Sequence, residues 1–91
     1  MKSHFKKRFQ SIADVGCCIC FKPCQVHHLI GLSYKGLSQK ADDRYTIGLC
    51  VDHHTGSEGI HIIGKKTWES KYGTQELHLA FVDSAIGWAN D

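Results

Sequence analysis

The sequence predicts a small zinc-stabilised α+β fold, a pair of antiparallel strands with flanking N- and C-terminal helices, and three observations lead there. The chain has 91 residues, enough for one domain over residues 1–91 whose core is marginal without a further staple. Five cysteines and seven histidines point to metal as that staple. The cysteine count is odd, and an early basic run, KKR, stands where a secretory leader would be apolar. Both features favour a reducing cytoplasm, where clustered cysteines hold metal more often than disulfides. The third observation is patterning, with helical spacing at both ends and short apolar segments between.

In chain order, KSHFKKRFQSIADVG places Phe5, Phe9 and Ile12 at helical spacing, with Lys2, Lys6, Lys7 and Arg8 largely elsewhere. This is a basic amphipathic helix ending near Gly16. A turn-like cysteine loop, GCCICFKPC, leads into a strand near Val26 to Ile30. The polar loop GLSYKGLSQKADDR follows, and then YTIGLC, in which Tyr45, Ile47 and Leu49 alternate as a half-buried strand should. The two strands are expected to pair as an antiparallel hairpin with a long connection. VDHHTGSEG is turn-rich, and GKKTWESKYG predicts a helix with Trp68 and Tyr72 at i, i+4 and Gly73 as its stop. Thr74 is placed to cap a last helix through QELHLAFVDSAIGWA. That helix is apolar on two sides, Leu77, Phe81 and Trp88 on one and Leu79, Val82 and Ile86 on the other. It is therefore either sandwiched in the fold or offers a face to another chain. No apolar stretch approaches the roughly 20 residues of a membrane span, so no membrane partner is expected. A net charge of +2 permits nucleic acid as a partner without demanding it.

Two short knuckles carry metal-ligand spacing. Cys17-x2-Cys20 is followed, thirty residues after Cys20, by Cys50-x2-His53. Each turn can aim two ligands at one tetrahedral centre, so the four residues predict a structural Zn2+ site. Cys18 lies inside the first knuckle, and Cys20-x3-Cys24 is a competing pair, so two cysteines are left without a ligand role. Removing these ligands leaves His27, His28, His54 and His61 around the same hairpin. A lone histidine is usually a hydrogen-bonded structural residue, but four bracketing one hairpin point to a second, open ion site. On a continuous helix His54 and His61 would be about 10.5 Å apart in rise. The intervening TGSEG suggests instead a loop that folds back, and Glu58, at i+4 from His54, is the alternative ligand if the segment is helical.

A cysteine knuckle, a His-His strand, a long loop, a strand ending LC-x2-[CH]-H and a following helix together resemble the HNH nucleases, with their ββα-metal (His-Me finger) fold. More narrowly, VHHLIG…KADDRYTIGLCVDHH…GIH…KKTWESKYG is similar to the phage Ref-like recombination-enhancement, RecA-dependent nuclease family, over roughly residues 17 to 73. The resemblance implies a metal-dependent DNA endonuclease that hydrolyses phosphodiester bonds in phage or prophage recombination, with a RecA-type filament as a further partner. It makes His28 the general base, His27 and His54 ligands of the catalytic ion, and His61 or Glu58 the last ligand. The implied ion is Mg2+, with Mn2+, Ni2+ or Zn2+ as substitutes. The HNH pattern carries an asparagine nine residues before the position of His54, where this chain has Tyr45. Asp42 or Asp43 is expected to fix the connecting loop in its place, through side chain to backbone bonds.

Such a nuclease needs sequence-independent phosphate attraction. The candidates are Lys35 and Lys40 in the loop, Lys65 and Lys66, and Lys6, Lys7 and Arg8 near the N-terminus. No element resembles a base-reading helix, so weak sequence preference is expected. The competing readings are a non-catalytic zinc-binding module that recognises nucleic acid or protein, and an interaction protein that assembles through its last helix. Oligomeric state is left open by the sequence.

Overall fold

The computed structural model describes residues 3–31 and 42–87. Helix α1 (Ser3–Val15) turns Phe5, Arg8 and Ile12 inward and leaves Lys6 and Lys7 exposed. The sequence reading placed Arg8 among solvent-facing phosphate contacts, and the structure corrects this. Its guanidinium is buried, with Nε donating to Thr46 Oγ1 at 2.8 Å, Nη2 to Thr46 O at 2.7 Å and Nη1 to Asp83 Oδ1 at 2.8 Å. Residues 5, 8 and 12 share one helix face, so the arginine was carried inward by its position. The arginine end of this pair is buried and the Asp83 end partly exposed, so removing Asp83 would leave a buried charge short of one partner. The helix stops at Gly16, which adopts φ 91°. A Cβ there would sit 2.7 Å from Phe21 O, so the turn admits only glycine.

Strands β1 (Gln25–His28) and β2 (Thr46–Leu49) pair antiparallel, with Val26 opposite Gly48 and His27 opposite Ile47. The expected hairpin is present, but β2 is buried along its whole length rather than on one side. Helix α1 covers the face where alternation predicted solvent. Arg8 bonds Thr46 there, and a Cβ on Gly48 would lie 2.7 Å from Cys24 Sγ and 3.0 Å from Ile12 Cγ2. Glycine thus lets the helix and the cysteine loop close onto the strand.

Two single-turn helices follow, α2 (Val51–His54) and α3 (Ile60–Ile63), and then α4 (Lys65–Tyr72) and α5 (Gln75–Ile86). Trp68 on α4 is fully buried, and its Nε1 donates to His53 O at 3.1 Å, bracing the turn that carries His53 and His54. Truncating a buried tryptophan to alanine costs about 3–5 kcal/mol. Thr74 caps α5 as expected, its Oγ1 accepting from Leu77 N–H at 3.2 Å. Gly87 at φ 67° ends the helix, short of the expected end, and Trp88 lies outside the described residues. Val82 is buried and Leu79 and Ile86 pack half-buried against the core, whereas Leu77 and Phe81 are 67% and 43% exposed. The helix is therefore not sandwiched: one of its two apolar sides faces out. Among the described residues, no helix is long and apolar enough to cross a membrane.

Candidate metal centres

The first knuckle is a tight reversal at the end of α1. Cys17 N–H donates to Lys22 O and Phe21 N–H to Cys17 O, at 2.9 and 2.8 Å, and Phe21 takes φ 64° to close the turn. Cys18 N–H bonds Gly48 O at 2.9 Å, pinning this turn to β2, which delivers Cys50 at its end. Cys50 then precedes α2, where His54 N–H bonds Cys50 O and one helical turn brings His53 back over the sulfurs.

The ligand atoms of Cys17, Cys20, Cys50 and His53 lie within 4.8 Å of one another. Cys20 Sγ is 3.7 Å from Cys50 Sγ, and His53 Nδ1 is 3.8, 3.8 and 3.1 Å from the sulfurs of Cys17, Cys20 and Cys50. Metal bonds of about 2.3 Å to sulfur and about 2.0 Å to nitrogen at tetrahedral angles give edges of about 3.5–3.8 Å. A structural metal such as zinc fits these donors. The Lys22 backbone N–H beside Cys20 pulls its thiol below the ordinary value, while burial pushes Cys50 up. Cys18 and Cys24 lie outside the set. Burial pushes the Cys18 thiol up to about 12, so it is a neutral thiol at physiological pH. Cys24 Sγ instead lies 3.6 Å from Ile12 O.

A second cluster lies on the other side of the α2 turn. One ligand atom each from His27, His54 and His61 falls within 4.8 Å of the others, and the ring centroids are 4.7 to 5.3 Å apart. His54 Nε2 and His61 Nε2 are 3.1 Å apart, close to the about 3.0–3.4 Å that two nitrogens span across one ion at bonds near 2.1 Å. The segment between them folds back, as its TGSEG sequence suggested. Gly59 makes this return possible: a Cβ on it would lie 2.4 Å from His54 O. Glu58 is not part of the cluster, because its carboxylate accepts from Lys71 Nζ and, at 2.8 Å, from Tyr72 Oη. Burial holds the His27 imidazole down to about 4, and burial with the neighbouring His61 lowers His54. Both rings are thus neutral donors at neutral pH.

His28 has a different environment. Its ring is half-exposed, and Nε2 donates to Asp43 Oδ1 at 2.7 Å. A carboxylate only accepts, so Nε2 carries a proton, and in the neutral ring the lone pair is on Nδ1. The division between the expected loop-fixing aspartates is also clear. Asp42 Oδ1 accepts from Arg44 N–H at 3.1 Å, the side chain to backbone bond foreseen, whereas the Asp43 side chain serves His28. Thr46 Oγ1 donates to Asp43 O at 2.9 Å and itself accepts from Arg8, so a partly buried chain of bonds steadies the turn that leads into β2.

Residues 2–89 match the model of a family described as a protein of unknown function (DUF968). The chain belongs to the DUF968 family. It is also 36% identical over 72 residues to a protein of Escherichia coli (strain K12) described as uncharacterized protein YdfU, a match that covers 77% of this chain and 20% of that relative. The chain thus spans about a fifth of the length of this curated relative. No solved structure matches.

Of the lysines singled out in this DUF968 member, Lys66 is exposed on α4, and Lys65 is exposed but paired with Glu69 at 3.2 Å. Lys35 and Lys40 lie outside the described residues. Two polar side chains beside the histidines carried no signal in the sequence, Gln25 and Gln75. Gln25 Oε1 lies 2.7 Å from His54 Nδ1, and Gln75 Oε1 lies 3.1 Å from His27 Nε2. A glutamine on a strand and another after a helix cap have no spacing that marks them.

Proposed function

We propose that this chain is a metal-dependent DNA endonuclease of the ββα-metal (HNH) type, in which His27, His54 and His61 hold a divalent cation and His28 activates water. The observation that carries this reading is the division of the His-His doublet. Neighbouring imidazoles on one strand face separate partners, His27 in a three-histidine cluster and His28 against a carboxylate. Strand neighbours point to opposite sides of the pleat, which suits two separate tasks.

In-line hydrolysis of a phosphodiester needs a base on one side of phosphorus and charge stabilisation of the leaving oxygen on the other. With Nε2–H committed to Asp43, His28 offers Nδ1 to take the proton from water as its oxygen attacks. A divalent cation in the cluster would supply Lewis acidity toward the leaving oxygen and the extra charge on phosphorus. His27, His54 and His61 act by fixing where that charge sits. Three imidazoles, with no carboxylate in the cluster among the described residues, suit Mn2+, Ni2+ or Zn2+ better than the Mg2+ expected from the family resemblance, because Mg2+ prefers oxygen. Lys6, Lys7 and Lys66 add exposed positive charge for the phosphate backbone. A role in phage or prophage recombination, with a RecA-type filament as partner, follows from the resemblance alone and enters the test as one of its arms.

The test is nicking of plasmid and single-stranded DNA, with and without a recombinase filament, together with metal content. His28→Ala is expected to keep both metals and DNA binding while cleavage falls by about 10²–10⁴, the usual worth of a positioned base. His27→Ala should weaken the second ion and recover part of its activity at high metal concentration. Equal loss of metal in both variants would make His28 a ligand and remove the base assignment. A wild-type chain that cleaves under none of these conditions would overturn the nuclease reading. A zinc-stabilised interaction module would then replace it, which the outward apolar group of Phe21, Leu77 and Phe81 favours. There the rings of Phe21 and Phe81 meet edge-on at 6.2 Å, and Leu77 on the same helix is largely exposed.

A further inference from the structure

Gln75 is the first residue of α5, and its amide is fully buried. Polar groups in such positions are held by hydrogen bonds that leave little freedom. Its backbone N–H donates to Glu69 Oε2 at 2.8 Å, which ties the start of α5 to α4. Its side chain meets the backbone of Ile30 twice. Ile30 N–H donates to Oε1 at 2.9 Å, and Nε2 donates to Ile30 O at 3.0 Å. A backbone N–H can only donate and a carbonyl can only accept, so these two bonds decide which end of the amide is oxygen. That oxygen faces His27 Nε2 at 3.1 Å. Any neutral ring nitrogen that bonds an amide oxygen must carry the proton, so His27 is protonated on Nε2 and holds its lone pair on Nδ1.

We infer that Gln75 is a positioning residue for the histidine cluster: it locks His27 in the Nε2–H tautomer and so makes Nδ1 the ring's donor atom for a divalent cation. The inference rests on the reading of the cluster as an ion site. Histidine ligands typically donate their second N–H to a fixed acceptor, which sets ring orientation and raises the basicity of the ligating nitrogen. Gln75 meets that requirement more firmly than Gln25 does for His54, since Gln25 is exposed and no backbone pair among the described residues fixes its amide in the same way. The last helix therefore takes part in the site although none of its residues belongs to the cluster. Any movement of its N-terminus relative to Ile30 would release the His27 ring.

The experiment uses the full chain with its structural zinc in place, labelled with ¹⁵N-histidine, and Zn2+ as the probe for the second site. Long-range ¹H–¹⁵N spectra before the second equivalent are expected to show His27 with a protonated Nε2 and an unprotonated Nδ1. On addition of Zn2+, the Nδ1 signal should shift while Nε2 keeps its proton. Gln75→Leu should lose the tautomer preference and bind the second Zn2+ about 10–100-fold more weakly, the usual effect of removing such a partner. Gln75→Glu, which keeps an acceptor at the same place, should restore the tautomer and most of the affinity. If Gln75→Leu fails to fold, the wild-type and Gln75→Glu spectra still decide the question. An Nδ1–H tautomer in the wild type, or unchanged affinity in Gln75→Leu, overturns the role of Gln75 while the ion site stands. A wild-type chain with the expected tautomer that takes up no second ion overturns the ion-site reading, and the role of Gln75 with it.

Discussion

His53 and His54 are consecutive residues on one turn of helix, yet they belong to two clusters of different chemistry. His53 completes a set with three sulfurs, two of them from a turn anchored to β2 by backbone bonds. His54 joins two other imidazoles, of which His27 is buried and His61 is exposed. Four protein donors close a tetrahedral ion, whereas three leave places for water or substrate. One short turn thus sets side by side a closed four-donor set, which fits a structural metal, and a three-histidine set that leaves coordination places open. Sulfur and a full donor set give permanence, and nitrogen with an open side gives exchange.

The largest expected effect falls on the first cluster. Structural zinc contributes on the order of 10 kcal/mol, comparable to the whole stability of a small domain. Removing it with a strong chelator should abolish cooperative unfolding and collapse the circular dichroism of the chain. Removing only the ion of the histidine cluster should leave both nearly unchanged. A verified zinc-free chain that still unfolds cooperatively would erase the distinction between the two sites.

A smaller effect separates them by pH. The ordinary histidine value near 6.5 holds in the unfolded chain, whereas burial depresses His27 to about 4 in the fold. Between these values the unfolded state binds the proton and the folded state does not, so stability is complete above about pH 6.5 and declines as pH falls toward about 4. Without an ion in the histidine cluster, His27 should account for a loss of about 2 kcal/mol between about pH 7 and about pH 5. Urea midpoints of wild type and His27→Gln at both pH values measure it. A slope that is the same in the variant would mean that His27 is not held neutral by burial.

The smallest effects concern the cysteines left over. Cys18→Ser and Cys24→Ser should keep a full complement of zinc, with stability changes of about 1 kcal/mol or less. Cys20→Ser should lose the ion. Zinc analysis of the three variants distinguishes the Cys17-x2-Cys20 knuckle from Cys20-x3-Cys24, and loss of zinc in Cys24→Ser would favour the latter.

What could be read in advance follows from which interactions are local. The knuckles, the Thr74 cap, the Gly73 stop and the fold-back between His54 and His61 are set by residues a few positions apart, so spacing and turn chemistry announce them. The second-face burial of β2 depends on α1 and the cysteine loop closing over Gly48, which alternation along one strand cannot reveal. Arg8 is the sharper case. A cation in a basic run looks solvent-facing until its helix is docked and Thr46 and Asp83, 38 and 75 residues away, meet it. The contacts of Gln75 with His27 and of Asp43 with His28 were hidden for the same reason, since each is a bond between residues far apart in the chain. The Leu77 and Phe81 side of α5 was legible as an unassigned apolar face, and it is exposed in the structure.

In the proposed nuclease an exchangeable ion in the histidine cluster drives cleavage, and one titration tests this most directly. Chain holding a single, chelator-resistant zinc is supplied with increasing Mn2+ or Zn2+, and plasmid nicking is measured against the number of ions bound. No nicking is expected with the first ion alone, then a rise that follows occupancy of the second site, and a plateau once two ions are bound per chain. Full nicking with only the structural zinc, or none with both sites filled, would contradict it.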